Sequence, residues 1–240
     1  MKKRIIVTLM SIAIAITSVA CGDKVLIQPA TLGTSSGIEV KASDDDSLDE
    51  ADKSSTEVST DANFTSGEVI DNVYENEFFN VKIPVSEGMV FADEVKVAEL
   101  NGLVDNTITN EQLKEAMDKQ GSLAVAYATD NNLSAFTVSI GSAGKIATAL
   151  LSEKKIIEAS KDALISQYEG MGLTDISTSI EKTSFIGEEH ECLSMTGTAQ
   201  GVTFHAKVIC LLKDGYIGTF AVGGPSEEVC NILDGATKLN

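Results

Sequence analysis

Four strand-length runs follow one another in the carboxyl-terminal part of the chain, at residues 175–183, 188–198, 202–212 and 215–222. Only short turns separate them, near Gly187, at Gln200-Gly201 and at Asp214-Gly215. Connections this short cannot carry the crossover that a parallel neighbour needs, so the runs read as an antiparallel meander. The rest of the domain must then cover the faces of that sheet. In 202–212 the even positions are apolar: Val202, Phe204, Ala206, Val208, Cys210 and Leu212. In 188–198 the clearest apolar pair is Leu193 and Met195. Placing both sets on one face predicts a register in which x opposes 399 − x.

Two further strands precede the meander, with Leu123, Val125 and Tyr127 as the bulky positions of one and Phe136, Val138 and Ile140 of the other. A two-residue turn at Asp130-Asn131 would pair x with 261 − x and put both bulky sets on one face. Earlier still, Val69–Tyr74 and Phe78–Ile83 suggest a hairpin around Glu75-Asn76-Glu77, stopped by Pro84. A short helix is expected from Asp93 to Leu100, closed by Asn101-Gly102. Thr109 and Gln112 form a capping box for a helix ending at Gln120, with Leu113, Ala116 and Met117 inward. The longest helix spans Ser152 to Gly170, with Ile156, Ile157, Ser160, Ala163, Leu164 and Tyr168 as its apolar stripe. A last helix, Ser226 to Leu239, buries Val229, Ile232, Leu233 and Ala236. The expected fold class is α+β: one domain over 67–240, an antiparallel sheet flanked by helices.

The amino terminus has a different character. Lys2, Lys3 and Arg4 precede an apolar run from Ile5 to Ile16. That run is too short for a membrane span, which takes roughly 20 apolar residues, and has the proportions of a signal-peptide core. Ser18-Val19-Ala20 then leads into Cys21-Gly22. Ser-x-Ala suits an ordinary signal peptidase, whereas small residues followed by Cys-Gly resemble a bacterial lipobox, with Ser18 where Leu is usual. Both readings remove residues 1–20. In the second, Cys21 is acylated and holds the chain at the membrane without a spanning helix. An exposed, unmodified thiol at the cut site would be reactive, which favours acylation.

Residues 21–66 are rich in Gly, Ser, Thr, Ala and Asp. Nine acids lie between Glu39 and Asp61, and no aromatic residue precedes Phe64. Such a segment buries too little apolar surface to offset ordering entropy, and is expected to act as a flexible acidic tether. Asp44-Asp45-Asp46, Asp49 and Glu50 lack the central Gly and the alternating spacing of a calcium loop.

Net charge separates function classes. The 240 residues carry a formal charge of −18, and removing residues 1–20 takes away three cations and no acid. Every remaining cation is Lys. That argues against nucleic acid as a partner, since phosphates call for clustered Arg and Lys, and against a bidentate anion-binding fork. There is no Trp and aromatic content is 5%, which weakens a carbohydrate-stacking platform.

Candidate chemistry is sparse. Gly141-Ser142-Ala143-Gly144-Lys145 resembles a phosphate loop, but Ser139 stands at the first glycine position and Ile146 where Ser or Thr is required, so a plain loop is expected. His190 and His205 are the only histidines. Under the 399 − x register they lie four positions apart, roughly 13 Å, too far for one ion, and are read as solvent-facing. The same register sends Cys192 and Cys210 to opposite faces, whereas 402 − x would permit a disulfide between them. Cys210 and Cys230 read as small core residues. No G-x-S-x-G elbow occurs, so no catalytic, metal or cofactor residue is assigned. Cys21 is the one assigned site, for lipidation.

The segment Tyr74-Glu75-Asn76-Glu77-Phe78-Phe79-Asn80-Val81, followed by Pro84 and Gly88-Met89, is similar to a pattern in small lipoproteins of low-GC Gram-positive bacteria, with Met89 where Trp is common. The element order also resembles PsbP-like domains. That resemblance implies an antiparallel sheet flanked by helices and an adaptor or assembly role rather than one shared chemistry. The expectation is an extracytoplasmic lipoprotein on the outer face of the cell membrane, held by a lipid on Cys21. It would serve as a non-enzymatic binding or adaptor module for an extracytoplasmic protein or wall component. The alternatives are a wall-active hydrolase using carboxylates and a solute-binding component of a transporter.

Overall fold

The computed structural model of the chain describes residues 64–103 and 110–239. The signal segment, Cys21, the acidic stretch up to residue 63 and the Thr109 cap lie outside the described residues. Strands are β1 Glu68–Ile70, β2 Val73–Asn76, β3 Val81–Pro84, β4 Val90–Phe91, β5 Ser122–Thr129, β6 Ala135–Ser142, β7 Thr174–Phe185, β8 Glu188–Ala199, β9 Val202–Lys213 and β10 Tyr216–Gly224. Helices are α1 Glu94–Leu100, α2 Asn110–Gln120, α3 Lys145–Leu150, α4 Glu153–Gly170 and α5 Asn231–Asp234, the last preceded by a 3-10 turn at Glu227–Cys230. The class is α+β, as expected. A seven-stranded antiparallel sheet in the order β4-β5-β6-β10-β9-β8-β7 is joined by a three-stranded sheet, β1-β2-β3.

The meander forms because each of its turns supplies the left-handed backbone that a two-residue hairpin demands. Ile186-Gly187, Gln200-Gly201 and Asp214-Gly215 all have positive φ at both residues. The Gln200-Gly201 turn sets Ala199 opposite Val202, so x opposes 401 − x. The expected 399 − x had the correct faces but lay two residues off, because side-chain alternation fixes the face and leaves shifts of two residues open. Cys192 and Cys210 fall on opposite faces, and Cys192, Cys210 and Cys230 are free and buried.

β5 and β6 depart further from expectation. Their loop is five residues, 130–134, built on Asp130, whose Oδ1 accepts the N–H groups of Asn132 and Ser134 at 2.7 and 2.9 Å. Leu123 opposes Ile140 and Ala128 opposes Phe136, with a bulge between Ala124 and Ala126. The bulge reverses the faces, sending Leu123 to one side of the sheet and Tyr127 to the other.

Each face of the large sheet carries its own core. On one, α4 lays down Ile156, Ile157, Leu164 and Tyr168 against Leu193, Met195, Phe204, Val208 and Cys210. Ser152 caps that helix, its Oγ accepting the Lys155 N–H. On the other, Phe136, Val138, Ile140, Ile209 and Phe220 meet α2, the small sheet and the carboxyl-terminal turns. The expected hairpin at 69–83 is a three-stranded sheet instead. The run 69–74 is broken by Asp71-Asn72, both at positive φ, which pair Ile70 with Val73. The last helix stops at Asp234, and Thr237 bridges to Lys82 of β3.

Candidate functional site

The lipoprotein-like motif at 74–80 is a fastening. Asn76 is 1% exposed. Its amide donates to the Thr65 carbonyl at 3.1 Å and to the Tyr74 hydroxyl at 3.0 Å, while its Oδ1 accepts the Phe79 N–H at 2.8 Å. The Tyr74 hydroxyl donates to the Ser66 carbonyl at 2.7 Å, and burial pushes its pKa well above the ordinary phenol range. Asn80 accepts the Leu239 N–H. Phe64 stacks on Tyr216 with ring centroids 4.3 Å apart. Phe64, inside the stretch read as linker, is therefore part of the core.

These bonds shape a cleft of about 580 Å³ between β1 and the α1–β5 edge, with Val69, Phe91, Val97, Leu113 and Val125 among its walls. Its back is closed by Asn72, which donates to the Met89 carbonyl at 2.9 Å and accepts the Phe91 N–H at 3.3 Å, clasping β4 to the small sheet. Its floor lies at the β5 bulge. There Asn101, at the end of α1, acts as a one-residue strand: its amide donates to the Ala124 carbonyl at 2.7 Å and its Oδ1 accepts the Ala124 N–H at 2.9 Å. Glu68, Asp93 and Glu94 stand on the rim. Concave, with apolar and polar groups sharing its walls about equally, the cleft has the form of a binding site. Hydrophobic periodicity could not reveal it, because it arises from a bulge and two distant asparagines. A wider, acidic hollow of about 900 Å³ lies by Glu68, Glu75, Glu77 and Asp214. Its Glu75 is held by Lys82 at 2.6 Å.

His190 corrects the sequence reading: it is 9% exposed, not solvent-facing. It opposes Thr183 on β7 and lies edge-on to Phe185 at 5.9 Å. Its Nδ1 is 2.8 Å from the Glu153 carboxylate, the first residue of α4, whose other oxygen accepts the Glu191 N–H at 3.2 Å. The pairing of β8 with β9 runs only as far as Cys192 and Ile209, and Glu153 takes up the next N–H along that edge. The hydrogen bond assigns the ring proton to Nδ1, leaving Nε2 buried and without a partner. A His–carboxylate pair closed to solvent at Nε2 fastens helix to sheet. His205 opposes Thr196 and remains partly exposed, as the sequence suggests.

Burial pushes the Cys210 thiol up to about 12 and that of Cys230 to about 11, and raises that of Cys192. Inert thiols agree with the core role assigned to Cys210 and Cys230. Among the described residues, no group of three or more His, Cys, Asp or Glu side chains could hold a metal ion, and no helix is long and apolar enough to cross a membrane. The phosphate-loop look-alike is the end of β6 running into α3.

No protein-family model matches the chain, and no curated protein does. Among solved structures, the chain is similar to LpqN, described as involved in cell envelope biogenesis of Mycobacterium tuberculosis. The match has 11% identity and a TM-score of 0.33, over 65% of this chain and 82% of that one.

Proposed function

We propose that the protein is a lipid-anchored extracytoplasmic binding or adaptor module of a PsbP-like kind, with Cys21 as the acylated residue and the cleft at the β5 bulge as its binding surface. The observation that carries this reading is the cleft itself: walls of mixed apolar and polar groups under a rim of three carboxylates, on a domain behind an export signal. Its chemistry suits an apolar segment bearing positive charge, from an extracytoplasmic protein or a wall component.

The test is the full chain expressed with its signal. A photo-crosslinking residue at Val69 or Val97 should trap a partner that Leu133, exposed in the β5–β6 loop, does not. Mass measurement of the membrane-extracted protein should show an acylated Cys21 at the new amino terminus, lost in Cys21→Ala. Equal trapping at all three positions removes the cleft from the proposal. Turnover of wall fragments by the purified chain would replace binding with hydrolysis.

A further inference from the structure

Helix α3 is inside out. Its apolar side chains point away from the protein: Ile146 is 80% exposed and Leu150 is 73% exposed, four residues apart and so on one face. None of its residues is buried. What holds it is polar. Thr148 Oγ1 accepts the Gly215 N–H at 3.0 Å and donates to the Gly144 or Lys145 carbonyl, while the Ala143 and Gly144 N–H groups donate to the Gly215 carbonyl. A helix fixed by its threonine and showing its isoleucine and leucine has an outward function for them.

Two observations say what covers that face. First, the described chain begins at Phe64, which is stacked on Tyr216, the residue next to the Gly215 that holds α3. The tether from Cys21 therefore enters the domain at the end of the sheet where α3 stands. Its 43 residues are long enough to let that end touch the surface to which Cys21 is attached. Second, charge is distributed unevenly. In a chain of net −18, residues 131–152 contain no acid; Lys145 lies within α3, and Lys154 and Lys155 follow it. The Glu153 between them is engaged by His190 and the Glu191 N–H. Asp214 stands exposed beside the Gly215 that holds α3, so the acid-free face is that of α3 itself, which an anionic bilayer can meet without facing a carboxylate.

We propose that Ile146 and Leu150 form a membrane-contacting knob that seats the domain on the outer leaflet and turns the rest of the chain outward. The proposal rests on the Cys21 anchor. Two side chains alone would bind weakly, but a tethered domain meets the surface at high effective concentration.

The chain has no Trp, so a single Leu150→Trp substitution is a clean reporter. The mature protein would be coupled through Cys21 to a maleimide lipid in vesicles of phosphatidylglycerol and phosphatidylcholine; the other three cysteines are buried. This fixes the anchor whether or not cells acylate it. Brominated acyl chains should quench the indole of Leu150→Trp at least about twofold more than that of a Leu133→Trp control, whose site, 57% exposed, lies at the opposite end of β6. Adding Ile146→Glu should abolish the difference, with thermal unfolding unchanged. Equal quenching of the two variants overturns the knob even where Cys21 proves acylated. A concentration-dependent blue shift of the Leu150→Trp emission without lipid also overturns it, in favour of a second copy. Unacylated Cys21 in cells overturns the anchor reading, and the vesicle result still decides the knob.

Discussion

The meander β7–β10 and the amino-terminal part of the domain, β1 to β6, are built by opposite means. In the meander each strand finds its partner through a two-residue turn at positive φ, and neighbours in sequence are neighbours in space. The earlier part is drawn together by side chains reaching over long intervals: Asn72 to β4, Asn101 to β5, Asn76 back to Thr65, Asn80 to Leu239. Local turn chemistry specifies register cheaply and tolerates surface change. Side-chain clasps concentrate stability in a few buried polar groups, each costly to leave unpaired. The candidate cleft lies in the second region.

The comparison can be broken by perturbing each region. Asn76→Ala removes three hydrogen bonds, two of them buried, and strands the Phe79 N–H; a loss of about 3 kcal/mol is expected in urea unfolding. A loss below that of an ordinary turn substitution would erase the distinction. Alkaline pH acts next. The folded pKa values of Cys210, about 12, and Cys230, about 11, are raised above the unfolded thiol, so their stabilising effect is complete below the unfolded value. It is lost as pH rises above about 9 toward the folded values, by about 1 kcal/mol per thiol per pH unit. Stability near pH 10 that matches pH 8 would contradict this burial. Gly218→Ala probes the joint between the regions: a Cβ there meets the Phe79 ring at 3.0 Å. About 1–2 kcal/mol should be lost, and Phe79→Leu should restore part of it in a double-mutant cycle. The smallest effect is expected in the meander. At Gly201 (φ 82°) an added Cβ meets nothing within 4 Å, so Gly201→Ala costs only backbone strain, about 1 kcal/mol. A larger loss in thermal unfolding would mean that the meander also depends on long-range contacts.

Much of the fold is legible because periodicity and turn residues act locally. Helix α4, α1 and its Asn101-Gly102 end, and all four strands of the meander stand where pattern places them. Two of the departures come from turns that differ from those assumed. A five-residue loop on Asp130 replaces a two-residue turn, and Asp71-Asn72 splits what reads as one strand. The candidate cleft was not legible at all. Val69, Val97 and Val125 are ordinary apolar residues until a bulge and Asn101 bring them to one hollow. His190 was misjudged for a related reason, since its cover comes from Glu153, 37 residues away and on a helix.

Sequence alone determined the α+β class, the antiparallel meander, and the motif residues Tyr74, Asn76 and Asn80, because each is written in side-chain alternation or local chemistry. Tertiary structure alone decided what those motif residues do, where the cleft opens, that His190 is inside, and that α3 shows its apolar side to the outside. These depend on which distant groups meet, and a two-residue change in register or a single bulge moves every such meeting while leaving the local pattern intact.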